Sequence, residues 1–519
     1  MAIEERIVKR LLAGTEVATD VEQQLVALVQ NAKDGHLCDV VENISLPEHV
    51  CSCTDDPFPQ TPLVKHGNRL YLQKNWALET LLLHRVHTLL KPVPVPNVVL
   101  PSNLLPAQAA AVQKALGQQL SIFTGGPGTG KTFTATCFIR LLAGGKYRVK
   151  IAAPTGKAAA HLESALRVQG QLPENLECES MTLHRLLKLS PSMQRFGNPE
   201  FVRADLVVVD EASMLDASLM LHLLEAIGPE TRLLLLGDPD QLPPVDGGSV
   251  FADMAEIFGS RLERSMRTDS NQLLDIAQHI QAGHRPNIPL LPCTDFLSSL
   301  HTHISHPTST DPLVCLQQQS RSRILTALRQ GPFGADALNH HILSQLQKPT
   351  ALPVLITQND PKRQLYNGTT GVLINQKAYF LLGNELKSFA EATLPRYELA
   401  FCLSVHKSQG SEFDEVFALF PPGSEQFGRE ALYTAVTRAK KRMTLVSDEA
   451  TVGALLATSS RARSGFRERF LALLHTQSNL RAQARLDGQP LAIQPDLDPA
   501  PFHHGTDPRD TGRPLSARK

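Results

Sequence analysis

The run GGPGTGKT at Gly125–Thr132 matches GxxxxGK[ST], a spacing that suits one chemistry, the cradling of nucleotide phosphates. Gly125, Gly126, Gly128 and Gly130 let successive backbone N–H groups turn inward, with Pro127 and Thr129 completing the loop. Lys131 is placed to reach the β- and γ-phosphates and Thr132 to hold Mg²⁺. Further along, LVVVDEAS sets Asp210 and Glu211 at the end of an apolar run. Asp210 suits the shell of the metal, and Glu211 suits the base that polarises an attacking water. In LLLLGDPDQLPPVDGG, Gln241 follows a strand and a tight turn, a good place to sense a terminal phosphate. Arg267 in LERSMRT and Arg438 in YTAVTRAKK supply guanidinium groups for charge developing on a transferred phosphoryl group. The ligands implied are ATP and Mg²⁺.

A phosphate loop works only between a strand and a helix whose N-terminus faces the ligand. Ser121–Thr124 reads as that strand, and KTFTATCFIRLL as the helix. The alternation recurs in VKIAAPTGKAAAHLESAL, LVVVDEAS and TRLLLLGD, and a second such region starts near Asp311 and resumes over 397–446. Short apolar runs that each open into a loop and helix predict α/β architecture, with parallel sheets covered on both faces. An arginine from the second sheet domain would let a nucleotide glue the two together. Between the pieces of that domain, 361–396 shows strand-like alternation with glycine turns, a small β insertion. Residues 1–95 read as a mostly helical module, with apolar positions at helical spacing in Leu25–Val29 and Trp76–Leu90. A docking role and a simple structural cap both fit it. The proline-rich KPVPVPNVVLPSNLLP closes it as a linker, and the tail from Asp487, rich in Pro, Asp, Gly and Arg, is expected to be disordered or loosely attached.

Bulk properties bound this reading. At 519 residues, 42% hydrophobic and 20% charged, the chain calls for several domains. No apolar run is long enough to cross a bilayer, and the start MAIEERIVKRLLAG lacks an apolar core, so no membrane role and a cytoplasmic location are expected. Lys+Arg and Asp+Glu are both 51, which argues against a passive nucleic-acid coat but leaves room for a motor with a local basic channel. The eight cysteines are scattered. Only Cys51 and Cys53 cluster, with no second pair at zinc spacing, and reduced thiols are the reading.

The set GGPGTGKT, APTGKAAAHL, LHRLL, VVVDEAS, GDPDQLPPV, LERSMRT, SVHKSQGSEFDEV and YTAVTRAKK, in this order, resembles superfamily 1 helicases of the 5′→3′ branch. More narrowly it resembles the RecD helicase family, as do RQGPFGADALNHHI and LPVLITQNDPKRQLYNGTTG; the likeness spans about residues 100–450. It implies two RecA-like motor domains, 96–275 and 276–450, with the 361–396 segment as an SH3-like module and 451–519 as a C-terminal helix and tail. It also implies roles. Gln108 corresponds to a glutamine that reads adenine, and Thr155, Gly156, Lys157, Thr182 and His184 to single-strand contacts of the first motor. His406, Lys407, Ser408 and Gln409 correspond to the loop that couples strand contact to the γ-phosphate side; Glu412 in the same loop has the weakest assignment. Independently of family, the APTGK loop follows a strand and opens a helix, so its N–H groups and Lys157 suit a DNA phosphate. The wedge of such enzymes would fall in 189–201, room for a small pin or almost none.

Family members come as autonomous helicases with a longer, helix-hairpin-helix-bearing N-terminal region, and as the shorter alpha subunit of a RecBCD-type exodeoxyribonuclease V. The N-terminal piece lacks an evident pair of helix-hairpin-helix glycine turns, which favours the subunit form; the autonomous form is the alternative. The subunit form implies RecB-like and RecC-like partners, single-stranded and broken or tailed duplex DNA as substrates, a nucleoid-associated place in a bacterium and a role in double-strand-break processing and recombination. The nuclease would reside in a sister chain, since no further cluster of spaced acids stands beside Asp210 and Glu211.

Overall fold

The computed structural model describes residues 2–486 except 13, 43, 169–175, 190–199, 245–246, 264–270, 299, 301–308, 347–349, 361 and 384. Arg267, nearly all of the 189–201 segment and the tail from Asp487 lie outside the described residues.

The N-terminal region carries helices Ile3–Leu12, Thr19–Lys33 and Gln73–Leu89. In the second, Val21, Leu25, Leu28 and Val29 repeat at helical spacing and are buried together. The region also holds a sheet that the sequence reading did not include. Its strands are β1 (Cys38–Val40), β2 (Cys51–Ser52), β3 (Leu63–His66) and β4 (Arg69–Leu72), in the order β1-β4-β3-β2. Strands of two to four residues are too short for alternation to register. The helix Gln73–Leu89 docks on the next domain: Leu78, Leu82, Leu83 and Val86 share a core with Met220, Leu223 and Leu224. Arg85 donates to the carbonyls of Leu224 and Ile227, at the end of the helix Ala217–Glu225.

The first motor sheet has six parallel strands, β5 (Leu120–Thr124), β6 (Tyr147–Ala153), β7 (Leu176–Thr182), β8 (Leu206–Val209), β9 (Arg232–Gly237) and β10 (Ser260–Arg261). Their order is β10-β5-β9-β8-β6-β7, so β5, β9 and β8 are neighbours. All four residues of β8 are buried, as expected of a strand covered on both faces.

The second motor begins its sheet with β11 (Leu290–Leu291) and β12 (Ser322–Thr326). The chain then leaves to build β13 (Leu352–Ile356), β14 (Thr370–Ile374), β15 (Lys377–Leu382), β16 (Glu385–Ala390) and β17 (Tyr397–Leu399), an antiparallel sheet of order β16-β15-β14-β13-β17. It therefore takes in strands on both sides of the 361–396 segment. The motor sheet resumes with β18 (Cys402–Ser404), β19 (Phe413–Leu419) and β20 (Ala439–Val446), giving a parallel order β11-β20-β19-β12-β18.

After the helix Glu449–Ala457, residues 458–465 form a strap back across the molecule. Ser460 N–H donates to Glu430 of the second motor (2.8 Å), and Arg461 pairs with Asp240 of the first (2.6 Å). The Arg463 carbonyl accepts from Leu37 N–H (2.8 Å), and Gly465 N–H donates to Glu79 (2.9 Å), both in the N-terminal region. The helix Phe466–Leu486 then buries Phe466 and Phe470 in the core of the first motor.

Candidate nucleotide and strand site

The adjacency of β5, β9 and β8 brings three loops to one edge, where the crevice of an open parallel sheet lies. Gly125–Gly130 follows β5 and opens the helix Lys131–Leu142. Gly130 has φ +82, and a side chain there would meet Gln108 Nε2 at 2.6 Å, so both backbone shape and space call for glycine. Lys131 Nζ donates to the carbonyls of Gly125 (2.6 Å) and Gly126 (3.1 Å), and Thr129 Oγ1 to Gly126 (2.9 Å). Buried Gln108 accepts from Leu105 N–H (3.1 Å) and donates to the Thr129 carbonyl (3.3 Å), so its amide clamps the loop to the preceding helix. Thr132 sits one residue into the helix.

Asp210 and Glu211 leave the end of β8. Glu211 holds a left-handed backbone, φ +53, a conformation that a non-glycine residue keeps only where its surroundings impose it. Withdrawal from solvent and the Glu211 carboxylate push the Asp210 acid upward, against the pull of Lys131. Two polar atoms on the loops that follow β8 and β9, Ser213 Oγ and Gln241 Oε1, are buried with no hydrogen-bond partner among the described residues. A buried polar atom without a partner is costly, so both fit a site that receives a polar ligand and its water.

The second motor closes on this edge. Leu242 N–H donates to Thr434 Oγ1 (2.8 Å), and Gln409 Nε2 to the Leu242 carbonyl (3.2 Å). Tyr433 Oη donates to Asp238 Oδ2 at 3.0 Å, and Gln281 Nε2 to Asp240 Oδ2 at 2.8 Å. Arg438 is buried just past the helix Gly428–Thr437, and its guanidinium donates to the Thr434 and Ser411 carbonyls and to Thr437 Oγ1.

The residues expected to meet a strand are spread over both motors. Lys157 Nζ donates to Ser411 Oγ across the motors, at 2.7 Å, and Gln409 crosses to Leu242, while among the described residues the contacts of the others in this set are local to their own motor or to Tyr366. Burial, with the fields of Arg323 and Arg438 adding to it, pushes its ammonium down to about 8. Gly156 opens the helix Gly156–Val168 beneath the ring of Tyr366, where an added methyl would lie 2.5 Å from a ring carbon. Thr182 caps the helix Leu183–Leu186 by accepting from Arg185 N–H (3.4 Å), and His184 is exposed beside it. His406–Ser408 is a 3₁₀ turn: the His406 ring meets Phe427 edge-on, Lys407 pairs with Glu398 of β17, and buried Ser408 bonds the Val405 carbonyl. Burial pushes the His406 imidazole down. Thr155 Oγ1 accepts from Ala158 N–H (3.3 Å).

Sequence reasoning passed over Asp238, Ser411 and Tyr433, although each lies inside a motif it had singled out. Asp238 alone carried a local signal, as the first of two acids in GDPDQ.

Comparison with known proteins gives a consistent answer. A family model described as an AAA domain matches residues 103–301, and one described as a UvrD-like helicase C-terminal domain matches 399–446. A RecBCD enzyme subunit RecD from Mycolicibacterium smegmatis is 35% identical over 468 residues, covering 79% of this chain and 84% of that protein. The chain belongs to the RecD helicase family. Another RecD relative, the ATP-dependent RecD2 DNA helicase from Deinococcus radiodurans, is 32% identical over 361 residues, 64% of this chain and 48% of that protein. A crystal structure of Pif1 helicase from Candida albicans overlays 72% of this chain and 99% of its own, at 17% identity and TM-score 0.44.

Proposed function

We propose that this RecD-family chain is an ATP-dependent DNA helicase that moves 5′→3′ on single strands as the RecD-like subunit of a RecBCD-type helicase-nuclease. The observation that carries the motor reading is the closure of the second motor onto the phosphate-loop edge of the first, through Thr434, Gln409 and Tyr433. A nucleotide bound at that edge is felt by both domains at once. Gly125–Thr132 would cradle the phosphates, with Lys131 on the β- and γ-phosphates. Thr132 and Asp210 fit a divalent ion, which when bound neutralises phosphate charge. Glu211 would draw a proton from the attacking water, Gln241 would position that water, and Arg267 and Arg438 would meet the developing charge. Gln108, packed against the loop, would line the base end.

Thr155, Gly156, Lys157, Thr182 and His184 from the first motor, and His406, Lys407, Ser408 and Gln409 from the second, would grip the strand in alternation as the cleft closes and reopens. With this reading go four segments: 1–95 for docking, 96–275 and 276–450 as motors, and 451–519 as a C-terminal extension. The subunit form, with RecB-like and RecC-like partners acting on broken duplex, is favoured over an autonomous helicase by coverage. The match to the M. smegmatis subunit takes in 79% of this chain at 35% identity, and that to the RecD2 helicase 64% at 32%. No helix among the described residues is long and apolar enough to cross a membrane.

The test is strand displacement with Mg-ATP on matched duplexes bearing a 5′ or a 3′ tail, by the chain alone and with RecB-like and RecC-like partners. Unwinding from the 5′ tail only, and only with partners, is expected. Unwinding from the 3′ tail would overturn the polarity, and full activity alone would favour the autonomous form.

A further inference from the structure

Tyr433, on the helix Gly428–Thr437 of the second motor, reaches toward the phosphate loop of the first. Its Oη donates to Asp238 Oδ2 at 3.0 Å, and both residues are almost wholly buried, 3% and 2% exposed. The same hydroxyl also lies beside the loop: a methyl carbon added at Gly126 would come within 3.1 Å of Oη. Asp238 feels the charge of Lys131 and also accepts from Gln241 Nε2 at 3.3 Å. The hydroxyl thus stands between the loop glycine, the acid that follows β9 and the glutamine whose Oε1 has no partner. Tyr433 shares its helix with Thr434, the cross-motor partner of Leu242, and Arg438 follows where that helix ends.

A phenol is a neutral donor, and the loop edge it lies beside is where the terminal phosphate of a nucleoside triphosphate is held. A diphosphate brings no oxygen to that position, whereas a triphosphate brings an anion that accepts better than a neutral group. We propose that Tyr433 is a positioning residue that distinguishes triphosphate from diphosphate, exchanging its hydrogen bond from Asp238 to the terminal phosphate when ATP binds. The exchange links occupancy of the loop to the helix Gly428–Thr437, and through it to Arg438 and the strand-side loop at Ser411. With a diphosphate bound, Tyr433 stays on Asp238. This inference rests on the nucleotide reading given above.

Asp238 and the terminal phosphate are both anionic acceptors, so loss of the hydroxyl is best measured where one of them has been neutralised. Calorimetry on the full chain would compare Asp238→Asn with Asp238→Asn/Tyr433→Phe, titrating Mg²⁺ with ADP or with a non-hydrolysable ATP analogue. The phenylalanine is expected to lower the preference for the analogue over ADP by about fivefold, the order of the difference between a hydrogen bond to a charged group and one to a neutral amide. A merely structural role in closing the cleft would weaken both ligands alike, and an unchanged preference overturns the proposal.

A second measurement needs neither substitution: fluorotyrosine placed at 433 in the otherwise unaltered chain, read by ¹⁹F resonance. Coincident signals for the free and ADP-bound protein, with a displaced signal for the ATP analogue, support the exchange. One signal in all three states overturns it. If the unaltered chain binds neither nucleotide, the nucleotide reading itself falls and this inference with it. Binding of both with an unmoved resonance removes the inference alone.

Discussion

Arg469 lies with its guanidinium 3.7 Å above the ring of Trp76 and donates to the buried carboxylate of Glu79 at 2.8 Å. The pair joins the C-terminal helix to the N-terminal module, and Arg469 also bonds Thr80 Oγ1 at 2.6 Å. Removing the cation strands an acid that is 0% exposed. Arg469→Ala is expected to cost about 3–5 kcal/mol, the range for breaking one side of a buried pair. Urea unfolding measures it, and a loss below about 1 kcal/mol would mean that Glu79 is relieved by other donors.

Lys131→Ala is expected to abolish ATP turnover while the fold survives, because the lysine bonds only loop carbonyls. Glu211→Gln is expected to keep nucleotide binding and reduce turnover by roughly 10²–10⁴-fold, the usual share of a general base. Phosphate release measured alongside a binding titration separates the two. Undiminished turnover in either variant would remove that residue from the chemistry.

The Lys157 ammonium, pushed down to about 8 by burial and by the neighbouring guanidinium groups, makes stability depend on pH. Below 8 the lysine is protonated in both folded and unfolded chains and contributes no slope. Between about 8 and its ordinary value near 10.4, the unfolded chain binds the proton and the folded chain does not, so stability rises with pH. Unfolding midpoints of wild type and Lys157→Met should therefore diverge over that window, wild type gaining. Parallel curves would contradict the shift.

Gly156 and Tyr366 should show strong coupling. Gly156→Ala drives a methyl into the tyrosine ring and is expected to cost about 1–3 kcal/mol, whereas Gly156→Ala/Tyr366→Ala recovers part of that loss. A double-mutant cycle by thermal unfolding provides the number. Strict additivity would show that the ring yields without cost.

What could be read in the sequence was whatever repeats or sits close along the chain. The phosphate loop announces itself because Gly125 to Thr132 are consecutive and the flanking strand and helix have clear textures. The continuous apolar run LVVV reads as a doubly covered strand, and its four residues are all buried. The β insertion showed in KAYFLL, whose alternating burial matches its pattern, but β13 did not. LPVLI is apolar throughout and could belong to either sheet. Tyr433 was illegible for a different reason. A tyrosine in an apolar helical run reads as core, and only the folded chain brings it to Asp238, 195 residues away. The clustering of Lys157 with Ser411 is likewise a product of domain closure, to which local pattern is blind.

The strap at 458–465 has a mechanical consequence. One of its ends leaves the second motor, and the other is anchored by Glu79 and by the phenylalanines sunk in the first. A chain spans at most about 3.3–3.6 Å per residue when taut, so this segment caps the separation of its anchors at roughly 26–29 Å. It is a leash of fixed length, and the stroke of the engine cannot exceed its slack. Lengthening it by a few glycines would alter how far the jaws swing without touching a single group proposed to meet nucleotide or strand.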